Sequence, residues 1–339
     1  MTTPLAPDPL LTTARAQAAA GAWPEVCASL SREAEATRAR PELATLMGEA
    51  MLRTGSTRDA RSWLSGVLPQ LEGGRNAPAL RKAVNLAGAA AFELGELDDA
   101  EAMFERALEL ARRDNDDLTA ARATNNLGAI ADMRGRRDSA LALYQLAIPA
   151  YQRLGHPLGL AESYHNMAIT LRGASQLDGA DEYERRAIEF AREAASPRLA
   201  AMAQVGRAEV CLARGDARMA AAQARRAARD FANVPDPVRE ADALRLTGVA
   251  LLSIGDHHEA RNAIERALSL AHTHGSALVE AESLRARAQL RTATGDTVGA
   301  RADDDAAGVI FTRLQVRDEG RGTRDEGRGT RDETAPVED

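Results

Sequence analysis

The stretch ELGELDDAEAMFERALELA, residues 93–111, reads as a turn followed by an amphipathic helix, and its skeleton returns along the chain. RGRRDSALALYQLAIPAYQ stands at 134–152, RGDARMAAAQARRAARD at 214–230 and IGDHHEARNAIERALSLA at 254–271. The turn glycines Gly95, Gly135, Gly215 and Gly255 share a 40-residue period with Gly55 and Gly295, and Ser175 fills the remaining place. Five residues after each turn comes Ala60, Ala100, Ala140, Ala180, Ala220, Ala260 or Ala300. Seven residues before it stands Gly48, Gly88, Gly128, Ala168, Ala208, Gly248 or Ala288. Twelve after it comes Val67, then Ala107, Ala147, Ala187, Ala227, Ala267 and Ala307. A fixed internal period of this length marks a stacked-repeat architecture.

Each slot has a physical reading. The turn residue ends a helix in the left-handed conformation, which glycine adopts freely. Asp216, Asp256 and Asp296 follow directly and suit the cap of the next helix. Small residues on both helices let two antiparallel axes approach closely. A second set of breakers keeps the same period: GGRNAP at 73–78, RDNDD at 113–117, GHP at 155–157, SP at 196–197, PDP at 235–237 and THGS at 273–276. The pattern predicts helix, tight turn, helix, loop, with helices of about 14–18 residues. Gly21 opens a degenerate first unit, with Asp8-Pro9 starting one helix and Pro24 its partner. The expected organisation is a flexible terminus over 1–8, a degenerate hairpin over 9–40, seven 40-residue hairpins over 41–316 in one solenoid, and a tail over 317–339.

The segments NNLGAIADMRGRRDSALALYQLAI (125–148) and LAGAAAFELGELDDAEAMFERALEL (86–110) resemble the tetratricopeptide repeat (TPR). The resemblance covers roughly residues 9–315, with a longer period than the usual 34. The 40-residue form is similar to the repeats of spindle-orientation adaptors and bacterial Rap-type peptide sensors, and kinesin light chains carry a slightly longer relative. It implies an all-α, right-handed superhelical solenoid of antiparallel hairpins, whose first helices line a concave groove that holds extended peptides.

One stripe of each first helix is free of core residues. It reads Lys82, Asn85, Ala89, Phe92; then Arg122, Asn125, Ala129, Asp132; then Glu162, His165, Ile169, Arg172. It continues Met202, Val205, Glu209, Leu212 and Asp242, Arg245, Val249, Leu252. This spacing keeps each set on one helix face. Asn126 and Asn166 stand beside the stripe, and in peptide-holding relatives an Asn at that slot pairs with the ligand's main chain. A carboxamide has both donor and acceptor, so it matches a peptide unit without reading side chains. The expected ligand-binding set is Asn126, Asn166, Lys82, Asn85, Arg122, Asn125, His165, Arg172 and Arg245. The stripe is polar in its first half and more apolar in its second, where Val205, Leu212, Val249 and Leu252 gather.

The net charge is −7 and no basic block occurs, which argues against a nucleic-acid partner. Lys82 is the sole lysine in an alanine- and arginine-rich chain, a bias that points to a GC-rich, bacterial genome. Cys27 and Cys211 fall within apolar helical patterns and read as reduced packing residues. The start, MTTPLAPDPLLTTARAQAAAGA, lacks the basic and apolar regions of a signal peptide. No apolar run reaches about 18 residues, so no membrane span is expected, and a cytoplasmic location follows. His257 and His258 begin one predicted helix and His272 and His274 end it, about 20 Å away, too far to share a metal. No nucleotide-binding or nucleophile motif occurs, so neither a cofactor nor catalysis is expected. The tail repeats RDEGRGT in tandem from Arg317 and has almost no apolar content. Ile310, Phe311 and Leu314 on the last helix are candidate contacts for self-association. The reading is a scaffold or adaptor binding an extended segment of a partner protein; the alternative is a regulatory sensor of a signalling peptide or small molecule.

Overall fold

The local rules that end one helix and start the next repeat with little variation. The structure, a computed structural model, describes residues 8–74, 76–234 and 236–314. Its described residues form seventeen helices and no strand. They are α1 (Pro9–Ala19), α2 (Trp23–Arg32), α3 (Ala34–Ala39), α4 (Pro41–Arg53), α5 (Thr57–Gly73), α6 (Ala77–Glu93), α7 (Leu97–Arg113), α8 (Asp117–Met133) and α9 (Arg137–Arg153). Then follow α10 (Pro157–Gly173), α11 (Leu177–Glu193), α12 (Pro197–Ala213), α13 (Ala217–Asn233), α14 (Pro237–Ser253), α15 (His257–Thr273), α16 (Ala277–Ala293) and α17 (Thr297–Leu314). The terminal segment before Asp8 and the tandem RDEGRGT tail lie outside the described residues.

The sequence distinguishes a tight turn within each hairpin from a looser loop between hairpins; the structure makes the two alike. At Gly95 (φ +77°) the Gly95 N–H donates to the Phe92 carbonyl at 3.0 Å and the Glu96 N–H to the Ala91 carbonyl at 2.9 Å. At Asn115 (φ +54°), between hairpins, Asn115 N–H donates to Arg112 and Asp116 N–H to Ala111. Both are Schellman closures, which satisfy the last carbonyls of the helix. Ser175 and Ala195 adopt the same left-handed backbone without being glycine. From Gly95 to Gly215 a left-handed residue therefore recurs every half-period, and α5 to α16 are each 17 residues long.

The chain divides into two compact units, Met1–Leu199 and Ala200–Asp339. In the first, each helix from α4 to α11 packs on the one before it, and the degenerate start adds α1, α2 and α3 against α4. There α2 breaks from α3 at Glu33, and the Thr37 hydroxyl bridges the break by donating to the Leu30 carbonyl at 2.9 Å. In the second unit α13 to α17 pack in the same serial way. Each unit is an all-α solenoid of antiparallel hairpins, because a single hairpin cannot bury both of its faces.

The small slots form the closest crossings. Ala60, Ala100, Ala140, Ala180, Ala220 and Ala260 are fully buried. The glycines face large side chains sixteen positions on: a Cβ on Gly48 would lie 2.6 Å from Leu64, on Gly88 2.7 Å from Phe104 and on Gly128 2.5 Å from Tyr144, and one on Gly248 would run into Ile264. Where the small residue is Ala168, its counterpart at that position is Glu184.

Caps tie neighbouring repeats together. Asp116 accepts from the Thr119 N–H at 3.0 Å and the Thr119 hydroxyl at 2.8 Å, and from Arg81 Nε at 2.9 Å. Burial alone pushes the Asp116 carboxyl up; the hydrogen bonds from Thr119 and Arg81, with the Arg81 charge, outweigh it and hold it below its ordinary 3.8. A depressed carboxyl contributes stability that is present above the unfolded-state value and lost as pH falls through the folded one. The first unit should lose stability on acidification below pH 3.8, and Asp116→Asn should flatten that part of the profile. Denaturation midpoints of both proteins across the acid range check this; parallel profiles would contradict it.

Candidate functional site

The wall that faces inward in the first unit follows from which helices touch. First helices meet across the intervening second helix: α4 touches α6, α6 touches α8, and α8 touches α10. Among the described residues no contact of that extent joins α5, α7, α9 and α11 to one another. Elements that approach more closely lie on the inside of a curved stack, so α4, α6, α8 and α10 line the inner wall.

On that wall Asn126 and Asn166 hold equivalent, half-buried positions on α8 and α10. Among the described residues neither side-chain amide makes a hydrogen bond within the protein; the Asn166 contact is its main-chain carbonyl accepting from Thr170. Asn125 is different. It is buried, and its Oδ1 accepts from the Ser163 hydroxyl at 2.9 Å. Asn85 is half-buried with its Oδ1 enclosed and unpartnered. Lys82 is exposed and pairs with Glu49 at 2.6 Å.

His165 also turns inward. It is buried, and its Nδ1 lies 2.9 Å from Oε2 and 3.2 Å from Oε1 of Glu184, which is 1% exposed. Burial pushes the Glu184 carboxyl up, against the His165 and Arg172 charges that hold it down, while Asp181 adds to the upward push. Asn125 and His165 thus meet Ser163 and Glu184 at helix crossings. A stripe drawn on one helix cannot show how far its partner helix reaches around it.

Arg122 has a different environment. Its Nη2 lies 3.4 Å from His156 Nε2, and His156 stacks on Tyr151 with ring centres 5.5 Å apart. His156 Nδ1 accepts from the Gly159 N–H at 3.0 Å and caps α10. Burial, then the Arg122 charge, lowers the His156 pKa from its ordinary 6.5. A neutral imidazole accepting at Nδ1 carries its proton on Nε2, so it offers Arg122 no acceptor. The Tyr151 hydroxyl is fully buried and has no hydrogen-bond partner among the described residues. Burial raises the Glu162 carboxyl against the charges of Arg122 and Arg53.

Residues 79–153 and 119–193 match the family model described as Tetratricopeptide repeat. The segment 79–193 consists of tetratricopeptide repeats. No curated protein matches the chain by sequence. Among solved structures, the apo form of the quorum sensor NprR from B. thuringiensis is similar, with a TM-score of 0.69 at 12% identity, covering 89% of this chain and 86% of that one. A Rap protein complexed with competence and sporulation factor gives 0.66 at 13%, covering 90% and 92%. The Rap conjugation gene regulator of the plasmid pLS20, in complex with the Phr* peptide, gives 0.64 at 16%, covering 81% and 74%. These likenesses establish a shared fold.

In the tetratricopeptide segment the residues that sequence reasoning missed are Tyr151, His156 and Glu184. Glu184 had a signal: it is a carboxylate at the repeat position where Leu64, Phe104, Tyr144, Ala224 and Ile264 are apolar or aromatic. Tyr151 and His156 had none, since their meeting with Arg122 depends on three helices. Arg172 is half-buried at the end of α10.

The second unit carries Arg245, whose Nε and Nη2 donate to Asp242 Oδ1 at 2.9 and 2.6 Å, with Glu282 Oε2 at 3.3 Å. The expected apolar half therefore includes a guanidinium with carboxylates around it, beside partly buried Val249, Leu252 and Leu212. On α17, Phe311 is buried against Ala281 and Ala307 and is no surface contact; Val298 and Val309 are the exposed apolar residues, with Leu314 at the margin. Among the described residues no helix is long and apolar enough to cross a membrane.

Proposed function

We propose that this protein is a non-catalytic adaptor that holds an extended peptide segment of a partner protein along the inner wall of its first unit. The observation that carries the reading is the pair Asn126 and Asn166, equivalent on touching helices, half-buried, and unpaired within the protein among the described residues. Packed helices lie about 8–10 Å apart and an extended chain rises about 3.3 Å per residue. Two amides on adjacent first helices therefore meet main-chain units about three residues apart on one strand. Lys82 and Arg172 flank them and would contact ligand side chains.

A second reading is a peptide-sensing regulator in the cytoplasm, favoured by the fold shared with the Rap conjugation gene regulator in complex with the Phr* peptide. In that case ligand binding would alter the chain's scattering profile, whereas an adaptor would capture a partner without such a change.

The test is capture of a partner from native lysate by the wild type and by Asn126→Ala/Asn166→Ala, after circular dichroism shows both folded. Two neutral hydrogen-bonding amides contribute about 1–3 kcal/mol together, so binding should weaken about ten- to hundredfold. A partner held equally by both proteins would remove the function from this wall.

A further inference from the structure

The residue before each first helix from α6 onward is Asn76, Asp116, His156, Ser196, Asp236 or Ser276, one repeat period apart. Asn76, Asp116 and Asp236 cap their helices by accepting from the N–H three positions on, at Ala79 (3.1 Å), Thr119 (3.0 Å) and Arg239 (3.3 Å). At His156 an imidazole does the same work, with Nδ1 accepting from the Gly159 N–H at 3.0 Å. The chemistry of this cap differs from the others. An amide keeps its acceptor at every pH and a carboxylate keeps it down to strong acid, whereas histidine loses its acceptor on taking a proton near neutrality.

Three features make that loss matter at this place. Pro157 opens α10 and has no N–H, so the Gly159 amide is the donor of the first turn that a side chain satisfies. Gly159 is buried, and a Cβ there would run into the Tyr151 ring, so water is poorly placed to replace the imidazole. The ring is also held on two sides, stacked on Tyr151 with centres 5.5 Å apart and with Arg122 Nη2 at 3.4 Å from Nε2. A proton would therefore leave a buried donor unmatched, place a positive charge at the positive end of α10, and set it beside a guanidinium. Arg122 of α8 is the charged group acting on the ring, and Tyr151 faces it from α9. Glu162 of α10 acts on Tyr151 and Arg122 rather than on the ring, and no titratable group of α11, packed along α10, acts on it.

We propose that His156 is a proton-operated latch on the junction between α9 and α10: neutral, it holds the first turn of α10, and protonated in mild acid, it releases that turn. The sign follows from the geometry. A histidine whose folded-state value is lowered contributes stability present above its unfolded value of 6.5 and lost as pH falls through the folded one. Asn76 provides a comparison within the same unit, since its cap has the same geometry and does not titrate.

The experiment is hydrogen exchange on the full chain, followed by mass spectrometry at about pH 7.5 and about pH 5, with each rate divided by the intrinsic rate at that pH. The peptides compared are those over the start of α10 and over the start of α6. In the wild type, protection at the start of α10 should fall about tenfold in acid, while protection at the start of α6 stays level. His156→Asn supplies a cap that does not titrate and should abolish the fall. His156→Ala should show low protection at both pH values, and if it does not fold, the asparagine variant carries the comparison alone. An equal fall in the wild type and His156→Asn, or an equal fall at α6 and α10, overturns the latch. So does titration of the His156 ring, followed by NMR, at or above 6.5.

Discussion

His165→Ala should lower the stability of the hairpin formed by α10 and α11 by about 3–5 kcal/mol, because it leaves the Glu184 carboxylate buried without its partner. Glu184 is 1% exposed and meets His165 at 2.9 Å. Other hairpins place Leu64, Phe104, Tyr144 and Ile264 at the Glu184 position and need no such partner. The loss should depend on pH. Burial raises the Glu184 carboxyl from 4.5, and losing His165 removes the largest opposing charge. A raised carboxyl contributes stability below its unfolded value and loses it as pH rises through the folded one. The deficit should therefore be small near pH 4.5 and grow toward neutrality. The double variant Glu184→Leu/His165→Asn takes the residue types that Leu64 and Asn125 supply at these repeat positions and should recover most of the loss, since a packed apolar residue replaces a buried pair at little or no cost. Amide exchange in α10 and α11 is the suitable measurement, because a stacked array need not unfold in one step. A double variant as weak as His165→Ala would refute this account.

The second large effect concerns size matching across a crossing. Tyr144 is 1% exposed and its ring occupies the space that a side chain on Gly128 would need. Tyr144→Ala should cost about 3–5 kcal/mol, since it empties a site already lacking a side chain opposite. Gly128→Ala removes a helix-interior glycine, which alone would gain about 1 kcal/mol. Yet its Cβ would sit 2.5 Å from the Tyr144 ring, and the ring is enclosed by Ala131, Ala140 and Met167. Overpacking of this kind costs about 1–3 kcal/mol, so the net effect is destabilising. The two changes together should cost clearly less than their sum, because the new methyl group enters the space the ring leaves. Strict additivity in denaturant titrations would show that the two sites do not share a crossing.

The residues that define the repeat were legible because their roles are local. A turn residue needs a left-handed backbone whatever surrounds it, and Ser175 falls in that series by spacing alone, with a φ of +58°. The alanines at close crossings were legible for the same reason: a fixed period carries a fixed neighbour. The turns between hairpins were harder, because Asn115 and Ala195 are not glycine and only the backbone shows that they do a glycine's work.

The candidate site divides along the same line. Asn126 and Asn166 could be found from sequence, since equivalent slots on successive first helices follow from the period. Asn125 and His165 occupy the same nominal stripe but turn into crossings toward Ser163 and Glu184, and no single-helix projection shows that. The sequence by itself determined the helical period, the hairpins and the small residues where axes meet, all properties of one segment and its repeat. Only the tertiary structure decided which polar groups are matched. Arg122, Tyr151 and His156 come from α8, α9 and the turn before α10, and their contacts exist only once three helices pack together.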